Sequence, residues 1–191
     1  MFLTLIYPYT KFTDNKLLLF GFIATFIGII LGNYFNVRYD GAIDLHFVGQ
    51  TNLKTTGLDL TIDIGVITLF LFIFGIIINK KTRILDVFIG CLIARFPFYL
   101  LTMCNFNNRF YTISQKLITK GNTNCLTSTD AAVLLVVSFL VILSLIWFFV
   151  LSYNGFKIAT NLKNKLHIIY YIIAIFIAEI ISKYLIITYN T

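Results

Sequence analysis

Charge is what this sequence has least of. Asp, Glu, Lys and Arg make up 12% of its 191 residues, against roughly a quarter in ordinary soluble domains. A water-soluble globule is thereby excluded, since it would have too little polar surface to stay dispersed. Histidine is scarce as well. There are only two in the chain, His46 and His167, and no Ser–His–Asp set, HExxH, GxGxxG or GxxxxGK[ST] motif occurs. The checklist of nucleophile, base and oxyanion donor cannot be filled, so an enzyme is not expected. The three cysteines, Cys91, Cys104 and Cys125, form no CxxC unit and show no metal-ligand spacing. Cys104 and Cys125 share one loop, where a disulfide forms only if the loop faces an oxidising compartment; unlinked thiols are the default reading. No cofactor is expected. Only two prolines, Pro8 and Pro97, interrupt the chain.

What the sequence has instead is apolar length. It is 59% hydrophobic, in five runs long enough to cross the hydrocarbon core at about 20 residues each. They extend from about Leu17 to Phe35, Leu60 to Ile78, Ile84 to Met103, Ala131 to Ser152 and His167 to Thr188. In lipid the backbone must satisfy its own hydrogen bonds, so these runs are read as helices despite their abundant Ile, Val and Phe. The expectation is an all-α, polytopic transmembrane bundle of five spans forming one integral membrane domain over residues 1–191. Thr13-Asp14-Asn15 and Thr127-Ser128-Thr129-Asp130 offer N-caps for the first and fourth helices. Tyr153-Asn154-Gly155 is read as the end of the fourth. Lys80, Lys81 and Arg83 fill a tight connection, making the second and third spans an antiparallel hairpin.

The net charge of +7 does not point to nucleic acid. The basic residues lie in short groups between apolar runs, the pattern of anchors to anionic headgroups. With the N-terminus inside, the inner segments hold Lys11, Lys16, Lys80, Lys81, Arg83, Lys157, Lys163 and Lys165. The outer ones hold Arg38, Lys54, Arg109, Lys116 and Lys120. That is eight against five, so the N-terminus is expected in the cytoplasm and the C-terminus outside, in a bacterial inner membrane. The start of the chain carries no clear small-residue cleavage pattern of a signal peptide. Phe2, Leu3, Leu5, Ile6, Tyr7 and Tyr9 form an interfacial belt segment broken by Pro8. Phe106, Phe110, Ile113 and Leu117 recur at helical spacing beside Arg109, Lys116 and Lys120, which reads as a short amphipathic helix on the outer surface or a packed loop.

Two charges at membrane depth demand an explanation, because each costs about 2.5–3.5 kcal/mol on insertion scales. Arg95 lies roughly 16 Å into the third span and Glu179 roughly 18 Å into the fifth at 1.5 Å per residue. Both helices run the same way, so an Arg95–Glu179 ion pair joining them is expected; the functional alternative is that the pair lines a proton or substrate path. Pro97 should kink the third helix beside Arg95. Lys183, four residues beyond Glu179, can reach it or meet Asp63 near the outer end of the second span. In the first outer loop, Asp40-Gly41 suggests a turn and Ile43, Leu45 and Phe47 alternate with Asp44 and His46, a short half-buried extended segment. Asp40, Asp44 and His46 fall short of four convergent metal ligands, so no metal is expected.

The lead Ile6-Tyr7-Pro8-Tyr9, the loop Asn36-Val37-Arg38-Tyr39-Asp40-Gly41 with Asp44-Leu45-His46-Phe47, the stretch Gly155-Phe156-Lys157-Ile158-Ala159-Thr160-Asn161-Leu162-Lys163 and the segment Ile177-Ala178-Glu179-Ile180-Ile181-Ser182-Lys183 together resemble the Yip (Ypt-interacting protein) family of small five-span membrane proteins, its bacterial members above all. The resemblance implies a helical bundle with a cytoplasmic N-terminus and no inherited catalytic residue. Eukaryotic members act in vesicle traffic with Rab-type GTPases through long cytosolic N-terminal regions; here about 16 residues precede the first span, so that role is not carried over. The expected function is a non-enzymatic protein that scaffolds or organises membrane, with the lipid bilayer, other membrane proteins or further copies of itself as partners. The alternative is a small transporter or channel component using Arg95 and Glu179.

Overall fold

The protein's structure, a computed structural model, describes residues 5–120 and 126–190. The helices are α1 (Asp14–Tyr34), α2 (Leu53–Ile78), α3 (Ile84–Ala94), α4 (Phe96–Leu101), α5 (Arg109–Lys120), α6 (Ser128–Thr160) and α7 (Ile168–Asn190). Between α1 and α2 lie two short strands, β1 (Val37–Arg38) and β2 (His46–Phe47), paired antiparallel with Val37 opposite Phe47. Five helical stretches among the described residues are long and apolar enough to cross a membrane, with α3 and α4 belonging to one of them. The all-α membrane-spanning bundle expected from the runs is therefore what the chain forms. Phe2, Leu3 and Cys125 lie outside the described residues, and with Cys125 the question of its disulfide. Cys104 is a free thiol.

Small residues set how closely the helices approach. α1 buries Gly21, Ala24, Gly28 and Gly32, a stripe at three- and four-residue spacing that lets a neighbouring helix press against backbone. A Cβ added at Gly28 would come within 2.5 Å of the Tyr99 ring, and one at Gly21 within 2.8 Å of Leu92 Cβ. α3 and α6 cross at Gly90 and Gly155, where a Cβ on Gly155 would stand 2.9 Å from the Gly90 Cα. That crossing explains why Tyr153-Asn154-Gly155 does not end the fourth span. In water such a sequence reads as a stop; here Gly155 is a contact point inside a helix that continues to Thr160 and closes on Asn161 in the left-handed conformation, φ 50°. At 33 residues, α6 is about 50 Å long and extends past a hydrocarbon core of about 30 Å. Its start follows the expected cap, with Thr127 Oγ1 accepting from the Asp130 N–H at 3.2 Å and Asp130 answering the Thr127 N–H.

The third span breaks beside Arg95, as the proline dictates. Pro97 has no N–H for the Ile93 carbonyl four residues back, and that carbonyl takes the Arg95 N–H instead, ending α3 before α4 begins. Past α4 the chain turns sharply through Asn107 and Asn108, both at positive φ (52° and 55°), a region that asparagine tolerates better than other side chains. It then enters α5, the amphipathic helix, with Ile113 buried and Phe110 edge-on to Phe47.

An odd number of spans puts the start of α1 and the end of α7 at opposite ends of the bundle. The segment before α1, the α2–α3 turn and the α6–α7 connection share one end, called here the N-face. The 36–52 loop, α5 and the end of α7 share the other, the loop face.

Candidate functional site

The site is built where the 36–52 loop folds back into the bundle. Val37, Tyr39 and Ala42 are completely buried, so irregular backbone lies deep among helices. Such backbone is tolerated in a membrane only where protein satisfies its polar groups. Here the satisfaction is split by charge. The Arg95 guanidinium donates from Nη1 to the carbonyls of Gly41 (3.1 Å) and Ala42 (2.8 Å). On the other side, the Ile43 N–H donates to Glu179 Oε2 (2.8 Å) and the Ala42 N–H to Ser182 Oγ (2.9 Å). The cation takes the carbonyls and the anion takes an N–H. Leaving any one of these four backbone groups bare would cost about 1–3 kcal/mol.

Gly41 is required at the tip. A Cβ there would fall 2.8 Å from both Glu179 carboxylate oxygens. The loop thus runs between Arg95 and Glu179, and this corrects the expected pairing of the two. Arg95 forms its ion pair with Asp63 of α2, Nη2 to Oδ2 at 2.9 Å, both side chains fully buried. The planar fork explains the choice, because one guanidinium can serve a carboxylate and two carbonyls together. Aromatic faces complete its shell: the guanidinium carbon lies 5.5 Å from the Tyr39 ring centroid and 5.6 Å from that of Phe98. Tyr39 is held in turn by its hydroxyl, which donates to the Gly28 carbonyl at 3.0 Å.

Glu179 pairs within its own helix, with Lys183 at 3.0 Å, and Lys183 also reaches Asp44 at 2.9 Å. The expected meeting of Lys183 with Asp63 does not occur. Lys183 is half-exposed and stretches toward the loop-face surface, the usual behaviour of a long ammonium near a membrane boundary, while Asp63 is committed to Arg95. Sequence reasoning missed Asp59, which takes Arg38 in a two-contact pair through Nε and Nη2. The signal was available: Asp59 and Asp63 are four residues apart, hence on one face of α2, and each takes an arginine.

An asparagine network ties the loop to the α4–α5 turn. Asn36 Nδ2 donates to Asn108 Oδ1 (2.9 Å), Asn108 Nδ2 to the Gly49 carbonyl (3.2 Å) and Asn105 Nδ2 to the Phe35 carbonyl (2.7 Å). Nothing in hydropathy marks these residues; the positive φ of Asn36, 53°, is visible only in the fold.

The Asp40, Asp44 and His46 trio is divided among other partners. His46 Nδ1 meets Asp40 Oδ2 and Asp44 goes to Lys183. The hydrogen bond to Asp40 raises the His46 pKa above its usual 6.5. Among the described residues no group of three or more His, Cys, Asp or Glu side chains is placed to hold a metal ion. The centre keeps two unanswered atoms: Asp63 Oδ1 and Arg95 Nε are buried without a hydrogen-bond partner among the described residues.

No family model matches the chain, and no curated protein and no solved structure matches it either.

Proposed function

We propose that the chain is a non-enzymatic membrane protein that scaffolds partners within the bilayer, Yip-like in kind, sitting in a bacterial inner membrane with its N-face toward the cytoplasm. One observation carries the reading. The polar interior, where a transporter would hold its cargo, is occupied by the chain's own loop: Arg95, Glu179 and Ser182 all spend hydrogen bonds on Gly41, Ala42 and Ile43. A bundle filled in this way is suited to presenting a fixed outer surface. That surface is broad and apolar, with Leu135, Phe139, Ile142 and Ile146 on α6 all facing outward. The excess of lysine and arginine on the N-face supports the orientation, and the loop and fifth-span motifs support the likeness to bacterial Yip members.

A second reading has its own observation. Asp63 Oδ1 and Arg95 Nε, buried and unanswered, are what an ion or proton path through the bundle would use. Two experiments separate the readings. A photo-crosslinking residue in place of Phe139 captures a defined membrane-protein partner or a second copy in native membranes if scaffolding is right. Proteoliposomes then show no solute or proton flux above protein-free vesicles. Flux that disappears in Glu179→Gln or Asp63→Asn would replace the scaffold with a transporter.

A further inference from the structure

The N-face half contains a partly open cavity of about 350 Å³, lined by residues of the N-terminal segment, α1, the α3–α4 break and α6. It lies within the usual range of small-molecule pockets, roughly 300–1,000 Å³. Its inner wall is aromatic. Phe20 and Phe96 rings lie 5.6 Å apart and Phe96 meets Trp147 edge-on at 5.9 Å. Those rings are fixed at the level of the helix break, because the Trp147 indole N–H donates to the Leu5 carbonyl at 2.9 Å. Its lining also includes Phe12, Lys16 and Leu17 of the N-terminal segment and the start of α1. Lys16 stands in the first turn of α1, exposed, and makes no ion pair among the described residues. From Lys16 to Phe20 and on to the Phe96 break, the groove runs from the end of the spans to about their middle, the depth of one leaflet.

We propose that this groove is a binding site for one anionic phospholipid of the N-face leaflet, its acyl chain along Phe12, Phe20, Phe96 and Trp147 and its phosphate on Lys16. The chemistry fits at both ends. The walls are apolar, and the one cation among the described lining residues makes no ion pair with any described side chain. A juxtamembrane lysine favours anionic lipid by about 1 kcal/mol, which is roughly fivefold. The inference goes beyond the scaffold reading and does not rest on it, since it needs only the spans and the groove.

Trp147 is the sole tryptophan in the chain, so it reports on its own site. The test is fluorescence quenching in vesicles that mix unlabelled phosphatidylcholine with acyl-brominated phosphatidylglycerol or acyl-brominated phosphatidylcholine. For the unaltered protein, quenching by the brominated phosphatidylglycerol should show an affinity about fivefold above that of the zwitterionic lipid. Lys16→Gln should bring the ratio to about one, Lys16→Arg should keep it, and Lys81→Gln, an exposed lysine on the same face, should leave it unchanged. Circular dichroism of each variant checks that the helices remain. Equal quenching by the two lipids in the unaltered protein would overturn the proposal. So would an equal loss in Lys16→Gln and Lys81→Gln, because the preference would then belong to the surface potential of the face. A scaffold without this site would still give the Phe139 crosslink, so the two ideas fail separately.

Discussion

The two ends of the bundle each hold a stretch of irregular chain against the helices, and they do it with opposite chemistry. At the loop face the 36–52 segment is held by neutral Ser182 and asparagine contacts but above all by charge: Arg95, Asp63, Glu179, Lys183 and the Arg38–Asp59 pair. At the N-face the segment before α1 is held by neutral donors. Trp147 and Asn154 reach the carbonyls of Leu5 and Ile6, and the Tyr9 hydroxyl reaches that of Leu151 at 3.1 Å. Tyr9 lies against the facing glycines of α3 and α6. A buried charge binds strongly only while its partners are intact; neutral donors over close-packed backbone tolerate more. The loop face should therefore be the more brittle of the two.

The largest effect is expected from Arg95→Leu. It strands the Asp63 carboxylate and the Gly41 and Ala42 carbonyls together, and breaking a buried pair from one side costs about 3–5 kcal/mol. Detergent-solubilised protein should show that loss in its unfolding midpoint. Arg95→Leu with Asp63→Leu should recover part of it, since the carboxylate is no longer stranded while the loop carbonyls still are. If the single variant unfolds like the unaltered protein, the brittle end is not brittle.

At the N-face, Gly155→Ala tests the neutral end. Its Cβ would press on the Gly90 Cα, backbone against backbone, and overpacking of this kind costs about 1–3 kcal/mol. The loss should appear as destabilised α3–α6 contact with the loop still protected. Next in size is Glu179→Gln. The amide oxygen can still accept from the Ile43 N–H, so only the ion pair with Lys183 and part of the strength of that bond are lost, about 1 kcal/mol. Thermal melts in detergent would measure both, and Glu179→Gln should be the milder.

The smallest effect is one of pH. Because Asp40 raises the His46 pKa, protonated His46 is favoured in the folded state. Its contribution is complete below about 6.5, the ordinary histidine value, and fades as pH rises through the raised folded value. Both groups are partly exposed, so the change is small. His46→Gln should flatten the stability profile over that window; an unchanged profile would remove the Asp40–His46 contact from the account.

The spans were legible because lipid leaves only one solution for a run such as Leu60 to Ile78: a helix that satisfies itself. Pro97 was legible for the same local reason, a missing donor. The pairing of Arg95 was not. Depth arithmetic puts Arg95 and Glu179 level, and both do meet the loop at Gly41, but it stops there. It carries no information about azimuth around each helix, nor about a loop between them. Tyr39-Asp40-Gly41-Ala42 reads as a polar surface turn, since the hydrophobic pattern of four residues cannot reveal that Ala42 and Tyr39 are buried. Asp59 precedes the apolar run that hydropathy marks as the span, while α2 begins at Leu53, so hydropathy does not place it in the bundle.

The claim on which the rest depends is that the loop tip is clamped inside the bundle by a cation on its carbonyls and an anion on its N–H. Hydrogen–deuterium exchange of the Ala42 and Ile43 amides in lipid nanodiscs tests it most directly. Those amides should exchange about a thousandfold more slowly than the amide of exposed Lys80 in the α2–α3 turn, an opening free energy of about 4 kcal/mol, and Arg95→Leu should abolish the difference. Exchange of Ala42 and Ile43 at the rate of that turn would contradict the account.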